Sequence, residues 1–228
     1  AQTVLTVCDL DGETLGRMEQ RPWLDLVPGL PRRSGDLLVA WTDEARRRLT
    51  IDGRAVTPAD VHLRSYLGEI DGVHYVTACT NPAESRVGRI DSDGFRWLSE
   101  PGGYTTATVE SDLIITSETT WGRYGAQVTV RDRDYAALAT VDSLAEVPQV
   151  AASPALLPAG IEDVQVVVLM PSQQSSEPLP ILMNPYGGPH AQRVLAARSA
   201  YAGAQWLADQ GFCVVIADGR GTPGQSPA

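Results

Sequence analysis

The chain has 228 residues, 43% of them hydrophobic and 20% charged, with a formal net charge of −10. That length buries a large core, as one big domain or two smaller ones. The acidity argues against a nucleic-acid partner, which needs a basic face for phosphates.

Cys8, Cys79 and Cys213 lie far apart in apolar runs, with no Cys-x-x-Cys spacing. An odd, unpatterned set predicts reduced, buried thiols and a cytoplasmic location, without excluding the cell envelope or secretion. The longest apolar stretch, Val166-Val-Val-Leu-Met170, is far too short to cross a bilayer, and no signal peptide is visible. Neither a metal nor a cofactor is expected.

Strand-like Thr3-Val-Leu-Thr-Val7 begins almost at once. Up to about residue 150, short strands alternate with turn signals. Asp11-Gly12, Asp52-Gly53, Asp71-Gly72 and Asp93-Gly94 are hairpin dipeptides, in which glycine supplies the positive φ of a tight turn. Between them lie Asp36-Leu-Leu-Val-Ala40, Val73-His-Tyr-Val-Thr77 and Asp112-Leu-Ile-Ile-Thr116. No long helical period interrupts them.

The runs recur. Leu37-Leu-Val, Val73-His-Tyr-Val and Leu113-Ile-Ile start 36 and 40 residues apart. Arg54-Ala-Val-Thr, Arg96-Trp-Leu-Ser and Leu138-Ala-Thr-Val repeat at 42 and 42. A period near 40 with about four strands per unit is the pattern of β-propeller blades, which stack because one blade cannot cover both its faces. Three to four blades fit before residue 150, an arc of a ring; an evenly spaced β-sandwich is the alternative. Trp23, Trp41 and Trp97 are read as blade packing, and Arg46-Arg-Arg48 as a solvated turn edge.

After Pro148 the texture changes. Ser153-Pro-Ala-Leu-Leu-Pro158 connects to a strand at Val164-Gln-Val-Val-Val-Leu-Met170, then a polar turn, then a strand at Pro180-Ile-Leu-Met183. Residues 196–210 carry helix formers, with Leu195, Ala202, Trp206 and Leu207 on one face and Gly211 as the cap. Phe212-Cys-Val-Val-Ile-Ala217 reads as a parallel strand buried on both faces. Strand, loop, helix, strand opens an α/β unit. The expected division is therefore a partial propeller over 1–150 and the truncated beginning of an α/β domain over 151–228.

In such a fold, reacting groups gather at the carboxyl ends of the strands. Pro185-Tyr-Gly-Gly-Pro189 leaves one of those ends. Two glycines turn the backbone and two prolines stiffen it, so Tyr186 is held in place. Its phenol is either a neutral hydrogen-bond donor aimed at developing negative charge or a packing residue with its hydroxyl at the surface.

The segment Pro180-Ile-Leu-Met-Asn-Pro-Tyr-Gly-Gly-Pro-His-Ala-Gln192 resembles the first block of the catalytic domain in the prolyl oligopeptidase family, in its dipeptidyl peptidase IV branch. Trp206-Leu-Ala-Asp-Gln-Gly-Phe-Cys-Val-Val-Ile-Ala-Asp-Gly-Arg-Gly-Thr-Pro-Gly224 is similar to the next block, a strand ending in Asp-x-Arg-Gly. The resemblance implies an α/β-hydrolase behind a propeller, serine acyl-enzyme chemistry on peptide substrates, and Tyr186 as an oxyanion-hole donor. It also implies a nucleophile elbow farther along and a triad in the order Ser, Asp, His. That order does not fit after residue 217, so no nucleophile, acid or base is expected here. His190 precedes any nucleophile, and His62 and His74 belong to the β repeats. Gly224-Gln-Ser-Pro-Ala228 nearly spells the elbow, but Pro227 has no N–H to offer an oxyanion hole, and Ser226 is set aside. Arg220 is read as a loop-fixing ion pair.

The branch grips the substrate's amino group with adjacent glutamates, and no Glu-Glu occurs here. The reading is thus a fragment, inactive alone, of a serine exopeptidase that releases dipeptides. An acylaminoacyl peptidase or esterase of related architecture, or a non-catalytic propeller module, is the alternative. Uncovered strand edges near 212–217 and at the blade ends are expected to make the chain self-associate.

Overall fold

A computed structural model gives the fold and describes residues 3–20, 26–42, 46–159, 164–173, 176–186, 191–219 and 221–224. Strands β1 (Thr3–Cys8) and β2 (Thr14–Gln20) form a hairpin. Three four-stranded antiparallel sheets follow in chain order. The first is β3 (Arg32–Ser34), β4 (Leu37–Trp41), β5 (Leu49–Ile51) and β6 (Arg54–Ala55). The second is β7 (His62–Ile70), β8 (Val73–Cys79), β9 (Arg86–Asp91) and β10 (Gly94–Trp97). The third is β11 (Gly103–Glu110), β12 (Leu113–Thr120), β13 (Gln127–Asp132) and β14 (Ala137–Val141).

Each sheet is a meander of neighbours, which is what a propeller blade requires. The first repeat series in the sequence falls on the second strand of each sheet, β4, β8 and β12. The second series falls on the fourth, β6, β10 and β14. All four Asp-Gly dipeptides lie at hairpin turns. Asp52 and Gly53 (φ 48° and 74°) and Asp71 and Gly72 (φ 50° and 77°) both have the double positive φ of a type I′ turn, whose twist matches its strands.

Blades pack face to face. One core joins Val39, Trp41 and Leu49 of the first blade to Leu63, Tyr66 and Val76 of the second. Backbone bonds stitch the seam: Leu63 N–H to Arg47 O at 2.8 Å and Tyr66 N–H to Pro28 O at 2.9 Å. The second and third blades meet where Thr105 N–H reaches Ser85 O at 2.9 Å and the Tyr75 hydroxyl donates to Arg133 O at 2.9 Å. Trp41 is 2% exposed in this core and Trp97 packs against it, as the blade reading expects, while Trp23 lies outside the described residues. The Arg46–Arg48 stretch is not uniformly solvated: Arg47 is buried. Cys79 is buried, but Cys8 is exposed, contrary to the expectation of buried thiols.

Beyond the blades come β15 (Ala155–Ala159), β16 (Val164–Leu169), β17 (Ile181–Met183), a 3₁₀ turn (Arg198–Tyr201), helix α1 (Ala202–Ala208) and β18 (Cys213–Ala217). They form a four-stranded sheet in the order β15-β16-β18-β17, the opening of an α/β-hydrolase sheet. The helix is shorter than expected over 196–210. Ala196 N–H is held by Ala83 O at 2.7 Å in the second blade, which keeps residues before the 3₁₀ turn extended. The expected apolar face is also corrected. Tyr201, Ala204, Gln205 and Ala208 point inward, and Trp206 is 55% exposed. Gln205 is buried because its amide is satisfied, by Ser153 N–H at 3.0 Å and Met170 O at 2.9 Å.

The strand expected at 212–217 is corrected in two respects. It is parallel only to β17 and antiparallel to β16, so both its edges are paired within the chain. Only Val214 and Ile216 are fully buried, and Cys213, Val215 and Ala217 on the other face are not. The edges of this sheet are β15 and β17, and on β17 Ile181 and Met183 are 68% and 55% exposed.

Candidate active site

The carboxyl ends of the parallel pair β17 and β18 lie side by side. Asn184 N–H donates to Val215 O at 2.8 Å, continuing the pairing one residue beyond β17. Tyr186 leaves that end two residues later with 41% of its surface exposed, and its hydroxyl makes no hydrogen bond to a described residue. A phenol so placed remains available as a donor. Gly187, Gly188, Pro189 and His190, which complete the loop, lie outside the described residues, as do Arg220, Ser226 and Pro227.

The chain returns at residue 191, and several bonds clamp its path. Asp218, one residue past β18 and 2% exposed, accepts Arg193 N–H at 2.8 Å on Oδ1 and Val194 N–H at 3.1 Å on Oδ2. Burial pushes its carboxyl above the ordinary 3.8, while the two N–H groups pull it back down. Tyr201, fully buried, accepts Leu195 N–H at 2.8 Å and donates to Leu195 O at 2.9 Å. Burial pushes its phenol up to about 12.

The blades hold the same segment from the other side. Gln192 donates to Pro82 O and to Val194 O, and its Oε1 accepts Arg64 Nη1 at 3.2 Å. Thr119 Oγ1 donates to Ala196 O at 3.3 Å. Arg198 donates to Ala152 O at 2.8 Å while its guanidinium covers the Tyr124 ring at 4.7 Å. Residues 192–198 are therefore fixed by the end of β18 on one side and by two blades on the other. Sequence reasoning named Tyr186 but gave no role to Asp218, Gln192 and Arg64, which hold residues 192–194. Asp218 had a signal, since it follows directly after an apolar strand; the other two had none.

His62 and His74 stay in the blades, as expected. His74 Nδ1 lies 2.9 Å from the Tyr66 hydroxyl, and burial lowers its pKa. Among the described residues no group of His, Cys, Asp and Glu is arranged to hold a metal ion. Nor, among them, is any helix long and apolar enough to cross a membrane.

An arc of propeller blades thus leads into an α/β sheet, with Tyr186 just past the carboxyl end of one of its strands. Residues 160–226 match the model of X-Pro dipeptidyl-peptidase (S15 family), which agrees with the resemblance carried by the blocks at 180–192 and 206–224. Among solved structures, the fold is similar to Porphyromonas gingivalis dipeptidyl peptidase 4, with a TM-score of 0.71 at 19% identity over 85% of this chain and 30% of that one. It is equally similar to a putative dipeptidyl aminopeptidase IV from Bacteroides ovatus, with a TM-score of 0.71 at 15% identity over 99% of this chain and 39% of that one. Pyrococcus horikoshii acylaminoacyl peptidase follows at 0.60 and 14% identity, over 99% and 44%. The chain thus spans less than half the length of these structures. No curated protein matches it.

Proposed function

We propose that this chain is the propeller-and-hydrolase segment of a serine exopeptidase that releases N-terminal dipeptides through an acyl-enzyme. Tyr186 donates its hydroxyl to the oxyanion of the tetrahedral intermediate, alongside a backbone N–H beside the serine. The observation that carries the reading is Tyr186, half-exposed and without a hydrogen bond to a described residue, just past the carboxyl end of β17 and inside the segment that matches X-Pro dipeptidyl-peptidase. A neutral phenol suits the task because it stabilises an alkoxide without exchanging a proton with it. Asp218, Gln192 and Tyr201 hold residues 192–195, on the chain's path back from Tyr186 to the blades. The substrate is a peptide, and no cofactor takes part.

In this reading Ser226 is not the nucleophile, because Pro227 has no N–H to complete an oxyanion hole. The likeness to acylaminoacyl peptidase favours a second reading, in which the amino terminus of the substrate is blocked. One comparison separates them. The longer protein containing this chain is given Ala-Pro chromogenic amide with a free or an acetylated amino group. Turnover of the free form alone supports dipeptidyl release, and turnover of the acetylated form alone supports the second reading. Turnover of neither, with no serine labelled by a fluorophosphonate, removes the peptidase reading altogether.

A further inference from the structure

Among the three blades, against the turn at Pro223 and Gly224, there is a cavity of about 710 Å³. Its walls include His62 and Arg64 on β7, Tyr104 and Thr106 on β11, Arg47 before β5, and Gly224 beyond β18. β7 and β11 are the first strands of their blades, so residues scattered through the sequence converge on one space.

The space is cationic in a chain whose net charge is −10. No aspartate or glutamate lines it among the described residues. The Arg64 guanidinium, 3.3 Å from the Tyr104 hydroxyl and 3.2 Å from Gln192 Oε1, also reaches the Pro82 carbonyl; all three are neutral acceptors. Its charge is therefore held in place without being neutralised by them. His62 is 2% exposed, and its ring makes no hydrogen bond to a described residue. Burial and then the nearby Arg47, Arg64 and Arg46 push its pKa down to about 3, so the ring stays neutral and the charge offered to a ligand is that of Arg64. Buried positive charge with fixed donors calls for an anion of complementary shape. The Gly224 turn closes against Arg64, where an added Cβ would collide with the guanidinium, so the hydrolase side forms one wall.

We propose that this cavity is a carboxylate-binding subsite for short peptides, with Arg64 as its principal charge and His62 and Tyr104 as neutral hydrogen-bonding walls. The carboxylate belongs either to the peptide's C-terminus or to an acidic side chain. The assignment of the ligand as a peptide rests on the peptidase reading, but its test measures binding alone, so failure of one does not imply failure of the other.

The test is titration calorimetry of the 228-residue chain with trialanine, trialanine amide and Ala-Glu-Ala amide. The subsite predicts that at least one carboxylate-bearing peptide binds about tenfold tighter than trialanine amide. Tighter trialanine identifies the C-terminus as the source, and tighter Ala-Glu-Ala amide identifies the side chain. Added salt narrows the gap. Arg64→Gln abolishes it, and because Arg64 also braces the fold, Thr106→Asp supplies an independent arm. Thr106 is exposed in the cavity, and a carboxylate there occupies the field without disturbing the core. Equal affinity for all three peptides, no binding of any, or a preference that survives Thr106→Asp overturns the proposal.

Discussion

Tyr201 stacks on Trp121, with ring centroids 5.8 Å apart and planes 13° from parallel. Tyr201 precedes α1 beside the hydrolase sheet, and Trp121 follows β12 in the third blade. The same hydrophobic core takes in Ala83 of the second blade and Val167, Leu169, Val214 and Ile216 of the sheet. Blades and sheet therefore share side chains, and the segment behind Tyr186 is part of that shared core.

Tyr201→Phe keeps the stack and removes only the hydroxyl that satisfies Leu195 N–H and Leu195 O. A buried backbone donor left without its partner costs about 1–3 kcal/mol. Urea unfolding of the two proteins should differ by that amount. Equal midpoints would mean water or a shifted loop replaces the phenol.

His62 makes the fold acid-sensitive. Its folded pKa of about 3 lies below the ordinary 6.5, so the unfolded chain takes up the proton first as pH falls. Stability from this group is complete above pH 6.5 and is lost as pH drops toward 3. Between pH 7 and pH 5 the loss is about 2 kcal/mol by proton linkage. His62→Asn should flatten that part of the pH–stability curve. A variant that retains the full slope assigns it to other groups.

Gly29 sits at the seam between the first two blades with φ +83°, and a Cβ there would collide with the Tyr66 carbonyl. The neighbouring Tyr66 N–H to Pro28 O bond closes the same seam. Gly29→Ala should cost about 1–3 kcal/mol for the backbone strain alone. Thermal unfolding measures it, and an unchanged Tm would show that the seam opens freely.

Self-association remains the expectation, relocated by the structure. With β18 paired on both sides, the edge strands richest in exposed apolar side chains include β17, with Ile181 and Met183, and β14, with Leu138 and Val141. Light scattering across dilution should show mass rising with concentration, and Ile181→Lys combined with Leu138→Lys should suppress it. A monomer at every concentration for the unaltered chain contradicts edge pairing.

Much of the blade arc was legible because β-branched runs and Asp-Gly turns act locally and repeat. The innermost strands were harder to read. β7 carries His62, Arg64 and Glu69 among its apolar residues, which breaks the alternation. The helix was overextended because its formers run from 196, whereas the Ala83 carbonyl that holds Ala196 extended is over 100 residues away. Trp206 was turned inward by hydrophobicity alone, while the buried Gln205 is paid for by three partners that only the folded chain assembles. Tyr186 was legible because its loop is a contiguous motif. The bonds that hold residues 192–194 were not, since Arg64, Gln192 and Asp218 are brought to them only through packing.

The central claim is that Tyr186 serves the transition state. In the longer protein, Tyr186→Phe should lower kcat by roughly 10²–10³ with KM nearly unchanged, because the oxyanion exists only after attack. An unchanged kcat, or a loss confined to KM, would contradict the account and make Tyr186 a surface packing residue.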